Sequence, residues 1–376
     1  MWKTTEGSGG RLLQLCIGYF LFYIVTGIAV KYFTGSPDHG LPGVGQIEYL
    51  VYSTLGGSLI CLFVVLLFRW YRIKSNRYLT FGKLKIPSEL LYIIPSGICT
   101  AIVIPTTTLM YLLPISVMVA MVIMRGSIIV TSRIIDAIQI KQGILKKKVT
   151  WEEEVAVVFA LVAISVDIFF NKQPGGFDFI NSPAALTILG SYVLAYFIRI
   201  YIMNYYKNTR GKNVPQDNKG FFALEQIVSG IAMVAVGYVI FKMVSQASAI
   251  VQYQQAFTLP SIHWSWEMLA GTAYGISAFF SVFLFMFKGR TATFAGLVNR
   301  LTSLIAGTTA TLGFALFFGG KLPSLSEWLS LTFIFVAVRF LTMAEKKRLA
   351  KAKLEAAVAV PVPSMSLEEA KQESAI

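Results

Sequence analysis

Two arginines embedded in apolar sequence have the most evident chemistry in this 376-residue chain. Arg125 lies in MVIMRGSIIV and Arg300 in GLVNRLTSLI. A guanidinium near the middle of a bilayer costs at least about 2.5 kcal/mol on insertion scales, so it normally faces a wet cavity or a partner. Because its planar fork binds phosphate, sulfonate or carboxylate groups in a bidentate way, the two residues predict an anion site. The alternative is a structural pair with acids or carbonyls of neighbouring helices.

Helical spacing extends this candidate site along the same segments. At about 100° per residue, Ser132 and Asp136 fall close to the face of Arg125. Aligning the two segments sets Ser127 against Thr302. Hydroxyls deep in two other segments complete the set, although the PTTTL run that includes Thr107 also fits a proline kink whose backbone is satisfied by threonines. The predicted substrate-binding residues are Arg125, Arg300, Asn299, Ser127, Thr302, Ser132, Ser303, Tyr274 and Thr107.

The few acids within apolar sequence are candidates for coupling transport to protons. Asp136 and Glu225 are the two residues considered for this role, and exchange without a coupling ion is equally open. The structural alternative is that Asp136 pairs locally with Arg133, or lies at the membrane interface as Glu225 does. Glu267 is expected to reach water at the outer end of its helix.

Composition limits the class of protein that carries these residues. The apolar set makes up 55% of the chain and charged residues 14%, with a mean hydropathy of +0.65. Soluble proteins carry about 25% charged residues, so these values indicate a polytopic membrane protein. Single cysteines and only two histidines give little support to a disulfide framework, a zinc site, a haem site or a histidine-based catalytic triad. No metal or cofactor is therefore expected.

The apolar blocks have the length that a helix needs to cross about 30 Å of hydrocarbon. The first block is too long for the apolar region of a signal peptide, so it predicts a retained helix. Pro114 separates the third and fourth helices, which would otherwise form one helix too long for a bilayer. The ten predicted helices cover residues 12–30, 49–68, 88–111, 115–138, 153–170, 184–206, 220–242, 264–287, 292–318 and 326–343.

The distribution of cations predicts the orientation of these helices. With the N-terminus inside, 24 of the 33 Lys and Arg residues fall in cytoplasmic segments, 4 in outer segments and 5 within spans. This bias follows the positive-inside rule in every loop and places both termini in the cytoplasm. The net charge of +14 is thus a topological signal and not one for nucleic acid, and the bilayer is the expected partner.

Ten spans divide naturally into two units of five, which must insert with opposite orientation. The alignment of Arg125 with Arg300 matches the fourth helix to the ninth, as this arrangement requires. The predicted fold is therefore all-α, with a first five-helix repeat in residues 1–175 and an inverted second repeat in residues 176–343. Residues 344–376 are predicted to form a mobile cytoplasmic tail that begins as a basic, helix-prone run.

The chain resembles the drug/metabolite transporter superfamily, which includes the EamA-type permeases and the nucleotide-sugar and triose-phosphate transporters. The likeness is carried by the last hairpin, GLVNRLTSLIAGTTATLGFALFFGGKLPSLSEWLSLTFIFVAV, together with the ten-helix topology. The resemblance implies an alternating-access carrier whose central cavity is lined by helices one to four and six to nine. Three departures leave the branch open: the long basic loop after helix two, the Arg125 and Arg300 pair, and the extended tail.

The predicted function is a secondary transporter for a small metabolite, and the two arginines indicate an anionic one. Alternatives are an exporter of neutral or cationic amphiphiles or amino acids, and a membrane-embedded lipid-modifying enzyme. The enzyme is less favoured because the chain lacks GxSxG, HExxH and P-loop patterns and magnesium-binding acid clusters within its spans. A bacterial inner membrane is favoured over a eukaryotic endomembrane, and a monomer and a homodimer are both compatible with the sequence.

Overall fold

A computed structural model describes residues 7–75, 77–81, 84–112, 117–146, 148–170, 183–211, 214–319 and 322–358. In this part of the chain, a short two-stranded hairpin accompanies α-helices that account for most residues. The helices are α1 Gly9–Phe33, α2 Gln46–Leu67, α3 Leu90–Leu112, α4 Val117–Lys141, α5 Trp151–Phe170, α6 Pro183–Asn208, α7 Asn218–Lys242, α8 Ser248–Thr258, α9 Trp264–Phe285, α10 Ala292–Phe318 and α11 Leu325–Val358. The strands are β1 Tyr78–Phe81 and β2 Leu84–Pro87.

The predicted all-α class is confirmed. Among the described residues, 8 helices are long and apolar enough to cross a membrane, namely α1, α2, α3, α6, α7, α9, α10 and α11. They identify a multi-pass membrane protein. The other two predicted spans correspond to α4 and α5, which have 25 and 20 residues.

Two elements of the structure were not predicted from the sequence. The short helix α8 lies between α7 and α9, where the Tyr52 hydroxyl of α2 donates a hydrogen bond to the Ala256 carbonyl over 2.6 Å. The antiparallel pair β1–β2 folds within the long basic loop after α2. Both are too short to leave a clear hydropathy pattern. The helix break predicted at Pro114 lies outside the residues that the structure describes.

The helices pack in a pattern that surrounds a central cavity. Helix α1 packs against α9 and α10, while α6 packs against α3 and α4. Helix α2 contacts α9 and α7 contacts α3. The remaining extensive contacts join α4 to α10 and α5 to α11.

Glycines bring the backbones of α2 and α9 into direct contact. A Cβ atom on Gly56 would lie 1.8 Å from the Met268 carbonyl oxygen, and one on Gly271 would lie 2.1 Å from the Ser53 carbonyl oxygen. Small residues allow such close approach between membrane helices, where dispersion contacts and not water exclusion hold helices together. These helices border the cavity, so their separation helps to set its width.

A methyl group at this crossing is expected to be costly. Gly56→Ala should reduce the unfolding free energy by roughly 1–3 kcal/mol, the usual cost of overpacking, because the obstructing atom is backbone and cannot rotate away. Gly190→Ala on α6 is the matched control, since nothing lies within 4 Å of its Cβ position. Thermal unfolding in detergent measures both variants. Equal melting temperatures for the two would show that the crossing tolerates a wider spacing.

Candidate functional site

The cavity lies between eight helices and is lined mainly by polar and aromatic side chains. Its volume, counted as the space open to the centres of water-sized molecules, is about 110 Å³. Helices α1 to α4, α6, α7, α9 and α10 line it, which is the lining that the resemblance implies. Its principal polar and aromatic residues are Tyr19, Tyr23, Thr54, Ser58, Thr100, Thr107, Arg125, Tyr192, Tyr196, Arg199, Gln226, Tyr274, Ser277, Ser281 and Arg300.

Four of the nine predicted substrate-binding residues lie on this cavity: Arg125, Arg300, Tyr274 and Thr107. The Thr107 hydroxyl also donates to the Val103 carbonyl over 2.7 Å. This is the usual bond of a helical threonine to the carbonyl four residues earlier.

Three other predicted hydroxyls bond within their own helices and do not line the cavity. Ser127 donates to Met124 over 2.8 Å, and Thr302 to Val298 over 2.7 Å. Ser303 donates to the carbonyl of Arg300 over 2.8 Å. Serine and threonine often bond to the preceding turn in this way, so a shared helix face alone does not direct the hydroxyl at a ligand.

Ser132 and Asn299 are buried behind the cavity wall. A Cβ atom on Gly296 would lie 2.4 Å from the Ser132 hydroxyl oxygen, so this serine fills the crossing of α4 and α10. The Asn299 amide donates to the Ser281 hydroxyl over 2.9 Å. Because Ser281 lines the cavity, Asn299 acts as a positioning residue for that hydroxyl and does not itself face the cavity.

Arg300 presents unused hydrogen-bond donors from a buried position. Its guanidinium carbon lies 5.0 Å from the centre of the Tyr196 ring, and the residue is only 8% exposed. Among the described residues, Nε and Nη2 have no hydrogen-bond partner. These two nitrogens form one edge of the guanidinium, which is the edge suited to two oxygens of one anion.

Arg125 reaches the same cavity from α4. Its Nη2 donates to the Tyr23 hydroxyl of α1 over 3.3 Å. The Cβ position of Gly307 on α10 lies 3.7 Å from the same nitrogen. The absence of a side chain at Gly307 thus makes room for the guanidinium.

The sequence did not identify Arg199 of α6 as a site residue. Its Nε and Nη2 donate to the two carboxylate oxygens of Glu225 on α7, each over 2.9 Å. Ser96 of α3 also donates to Glu225, over 2.6 Å. Glu225 has no exposed surface and is held in this pair. An arginine and an acid in consecutive apolar segments were the available signal for this pair.

Asp136 is bound to the N-terminus of another helix and not to Arg133. Its carboxylate accepts hydrogen bonds from the backbone N–H groups of Ala292 and Thr293, over 2.8 and 2.6 Å. Arg133 instead pairs with Glu154 over 2.7 Å at the surface. The positive end of the α10 dipole and two free N–H groups stabilise the buried carboxylate better than an arginine on a different helix face.

This contact and neighbouring bonds hold the helices together at their predicted cytoplasmic end, and we refer to these contacts as the cytoplasmic closure. The Lys207 ammonium donates to the Phe285 carbonyl over 3.2 Å, and the Gln216 amide donates to the Met286 carbonyl over 2.5 Å. Asp136 therefore joins α4 to α10 at the end that the sequence predicts to face the cytoplasm.

Asp136→Asn is expected to loosen this closure, because an amide offers one acceptor oxygen and no charge to the helix terminus. In a variant that keeps Cys61, which lines the cavity, as its single cysteine, labelling from the predicted cytoplasmic face should accelerate by roughly ten-fold. Arg133→Gln is the control, since it breaks only the surface pair. Identical labelling rates in both variants would contradict the assignment of Asp136 to the closure.

Glu267 also differs from expectation, since it is fully buried at the start of α9. Its Oε1 accepts a hydrogen bond from the Ser261 hydroxyl over 2.8 Å. The loop before α9 covers the carboxylate and keeps it from water. Within the described residues, there is no group of three or more side chains suited to hold a metal ion.

Comparisons with known proteins bear on the fold alone. No protein-family model matches the chain. No curated protein matches it either. Its fold is similar to that of a solved structure described as "Crystal structure of protein", with a TM-score of 0.55 over 90% of this chain and 99% of that chain. The two are 10% identical, so the likeness extends to the shared architecture and not to a substrate.

Proposed function

We propose that the protein is a secondary transporter that moves a small anion across the membrane by alternating access. The observation that carries the proposal is the Nε and Nη2 edge of Arg300, buried on a cavity between eight helices without a partner among the described residues. A buried charge is costly unless it is paired. An anion that binds there would supply the missing partner.

The Arg199–Glu225 pair is an internal comparison for this binding mode. There the same edge of a guanidinium holds two carboxylate oxygens of one acid, each at 2.9 Å. The pair neutralises Arg199, whereas the matching edge of Arg300 has no hydrogen-bond partner among the described residues. Carboxylate, phosphate and sulfonate groups all have the oxygen spacing for this edge.

The size of the cavity favours a compact substrate. A water molecule needs about 10–15 Å³ of centre-accessible volume, so the cavity accommodates on the order of ten water-sized groups. A phosphorylated three-carbon compound or a small dicarboxylate fits this volume. A nucleotide sugar is several times too large for the cavity in its present closed form.

Ten spans in two inverted repeats are part of the same proposal, as is membership of the drug/metabolite transporter superfamily. Helix contacts support the repeat when α1, α2, α3, α4 and α5 are matched with α6, α7, α9, α10 and α11. The packing of α1 on α9 and α10 then corresponds to that of α6 on α3 and α4. The α2–α9 contact corresponds to α7–α3, and α4–α10 and α5–α11 join matched helices.

A second candidate is the export of cationic or neutral amphiphiles. Tyrosine rings along the cavity favour it, because aromatic faces attract cations and pack against apolar groups. The two arginines on the same cavity oppose a cationic substrate. No catalytic activity is proposed for the cavity.

Ligand-induced stabilisation tests the proposal with purified protein. The probes are inorganic phosphate, glycerol 3-phosphate, malate, adenosine monophosphate and the cation ethidium. An anion at 100 times its Kd should stabilise the folded state by about 2.7 kcal/mol and raise the melting temperature. Arg300→Gln should lose this response. Stabilisation by ethidium alone would favour the second candidate and contradict anion binding.

A further inference from the structure

Helices α1 and α6 carry tyrosines at the same spacing on the same cavity. Tyr19 and Tyr23 of α1 have ring centres 5.5 Å apart, and Tyr192 and Tyr196 of α6 have ring centres 4.8 Å apart. The sequences are YFLFY and YVLAY, and all four rings line the cavity. Each proposed repeat therefore contributes one pair of tyrosines from its first helix.

The two arginines stand at matching positions on the fourth helix of each repeat. Arg125 is the eighth residue after Val117, where α4 begins, and Arg300 is the eighth after Ala292, where α10 begins. In the proposed topology these helices start at opposite membrane faces. The Arg125 guanidinium lies beside Gly307, seven residues and so about 10 Å along α10 beyond the backbone of Arg300.

Each arginine contacts a tyrosine from its own repeat. Arg125 donates to the Tyr23 hydroxyl at 3.3 Å, while Arg300 lies over the Tyr196 ring at 5.0 Å. We define the outer station as Arg125 with Tyr23 and the inner station as Arg300 with Tyr196. The same pair of residue types thus recurs on both sides of the membrane midplane.

We infer that the cavity holds two equivalent stations for the anionic group of the substrate and that transport passes this group from one station to the other. The inference rests on the proposed function and assigns one arginine station to each side of the membrane. The two arginines enter the cavity at levels about two turns apart along α10, and in this inference each station binds the anion in turn. Alternating access between inverted repeats exchanges the roles of the two halves. Each open state therefore presents one station to its own side.

Two stations predict that the half-saturation concentration can be changed at one membrane face and not at the other, which a single central site does not predict. The outer station determines the half-saturation concentration at the outer face, and the inner station determines it at the cytoplasmic face. Tyr19, one turn before Tyr23 on α1, lies within electrostatic range of both guanidinium groups. The anionic group therefore remains close to positive charge throughout the transfer.

The test measures KM from each face, in proteoliposomes that hold the protein in one orientation. The probe is whichever of inorganic phosphate, glycerol 3-phosphate and malate the wild-type protein exchanges. Arg125→Lys should raise KM at the outer face by roughly ten-fold or more, because lysine keeps the charge but loses the fork. Arg300→Lys should do the same at the cytoplasmic face, and each variant should leave the opposite face nearly unchanged.

Tyr23→Phe and Tyr196→Phe repeat the test with variants that keep the packed ring. They should give the same reciprocal pattern with a smaller shift, so a folding defect in one arginine variant does not conceal the result. Equal KM shifts at both faces would overturn the two-station inference and leave anion transport intact. Exchange of none of the three anions by wild-type protein would overturn both proposals.

Discussion

Arg300→Gln is expected to reduce anion transport by roughly 100-fold while leaving the protein as stable as the wild type or more stable. The lost activity reflects the removal of a charged, bidentate hydrogen-bonding edge. The stability gain follows because the wild-type guanidinium is buried with Nε and Nη2 unpartnered among the described residues. Removal of such a charge relieves a desolvation cost without breaking an ion pair.

Initial uptake rates and thermal unfolding of the same preparations measure this prediction. Arg300→Lys separates charge from geometry, because the ammonium keeps the charge and cannot form the fork. Arg339→Gln on α11 is the matched control, since this arginine is exposed and lies away from the cavity. Loss of stability together with activity in Arg300→Gln would instead indicate a structural residue.

Single substitutions in the Arg199–Glu225 pair are expected to lower the stability of the protein, in contrast to Arg300→Gln. Glu225→Gln leaves a buried guanidinium without its counter-charge, and Arg199→Gln leaves a buried carboxylate supported mainly by Ser96. Breaking a buried ion pair from one side typically costs 3–5 kcal/mol. Either variant should therefore unfold well below the wild-type temperature or fail to accumulate.

The double variant Arg199→Gln/Glu225→Gln makes this prediction specific. Because it removes both charges together, it should recover much of the stability that each single variant loses. Thermal unfolding of the four proteins gives the coupling between the two side chains. If the losses simply add, the two charges do not stabilise one another and the ion pair has no structural role.

Long-range pairing explains why the sequence predicted part of the site and missed the rest. Arg125 and Arg300 stood out because each lies alone in an apolar segment, where burial of a guanidinium requires a cause. Arg199 lies in an equally apolar segment, but its significance depends on Glu225, whose helix face cannot be related to that of α6 from sequence. The tyrosine pairs on α1 and α6 were visible as a repeated spacing, yet tyrosine is also a common packing residue.

The positions of the predicted hydroxyls have a related explanation. A face of α4 or α10 can be identified from helical periodicity, but the element that packs against that face cannot. Ser132 shares the general face of Arg125 and meets Gly296 of α10 instead of the cavity. Asp136, farther along α4, meets the α10 N-terminus. Helix existence followed from apolar length alone and was predicted well, whereas α8 and β1–β2 have no comparable signal.

Counterflow in proteoliposomes that contain the wild-type protein tests the central claim most directly. Vesicles are loaded with an unlabelled anion, and uptake of the labelled form is followed for inorganic phosphate, glycerol 3-phosphate and malate, with ethidium as the cationic comparison. Saturable exchange of at least one anion is expected, with that activity reduced by roughly 100-fold in Arg300→Gln. Exchange of ethidium in place of all three anions, unchanged in Arg300→Gln, would contradict the account.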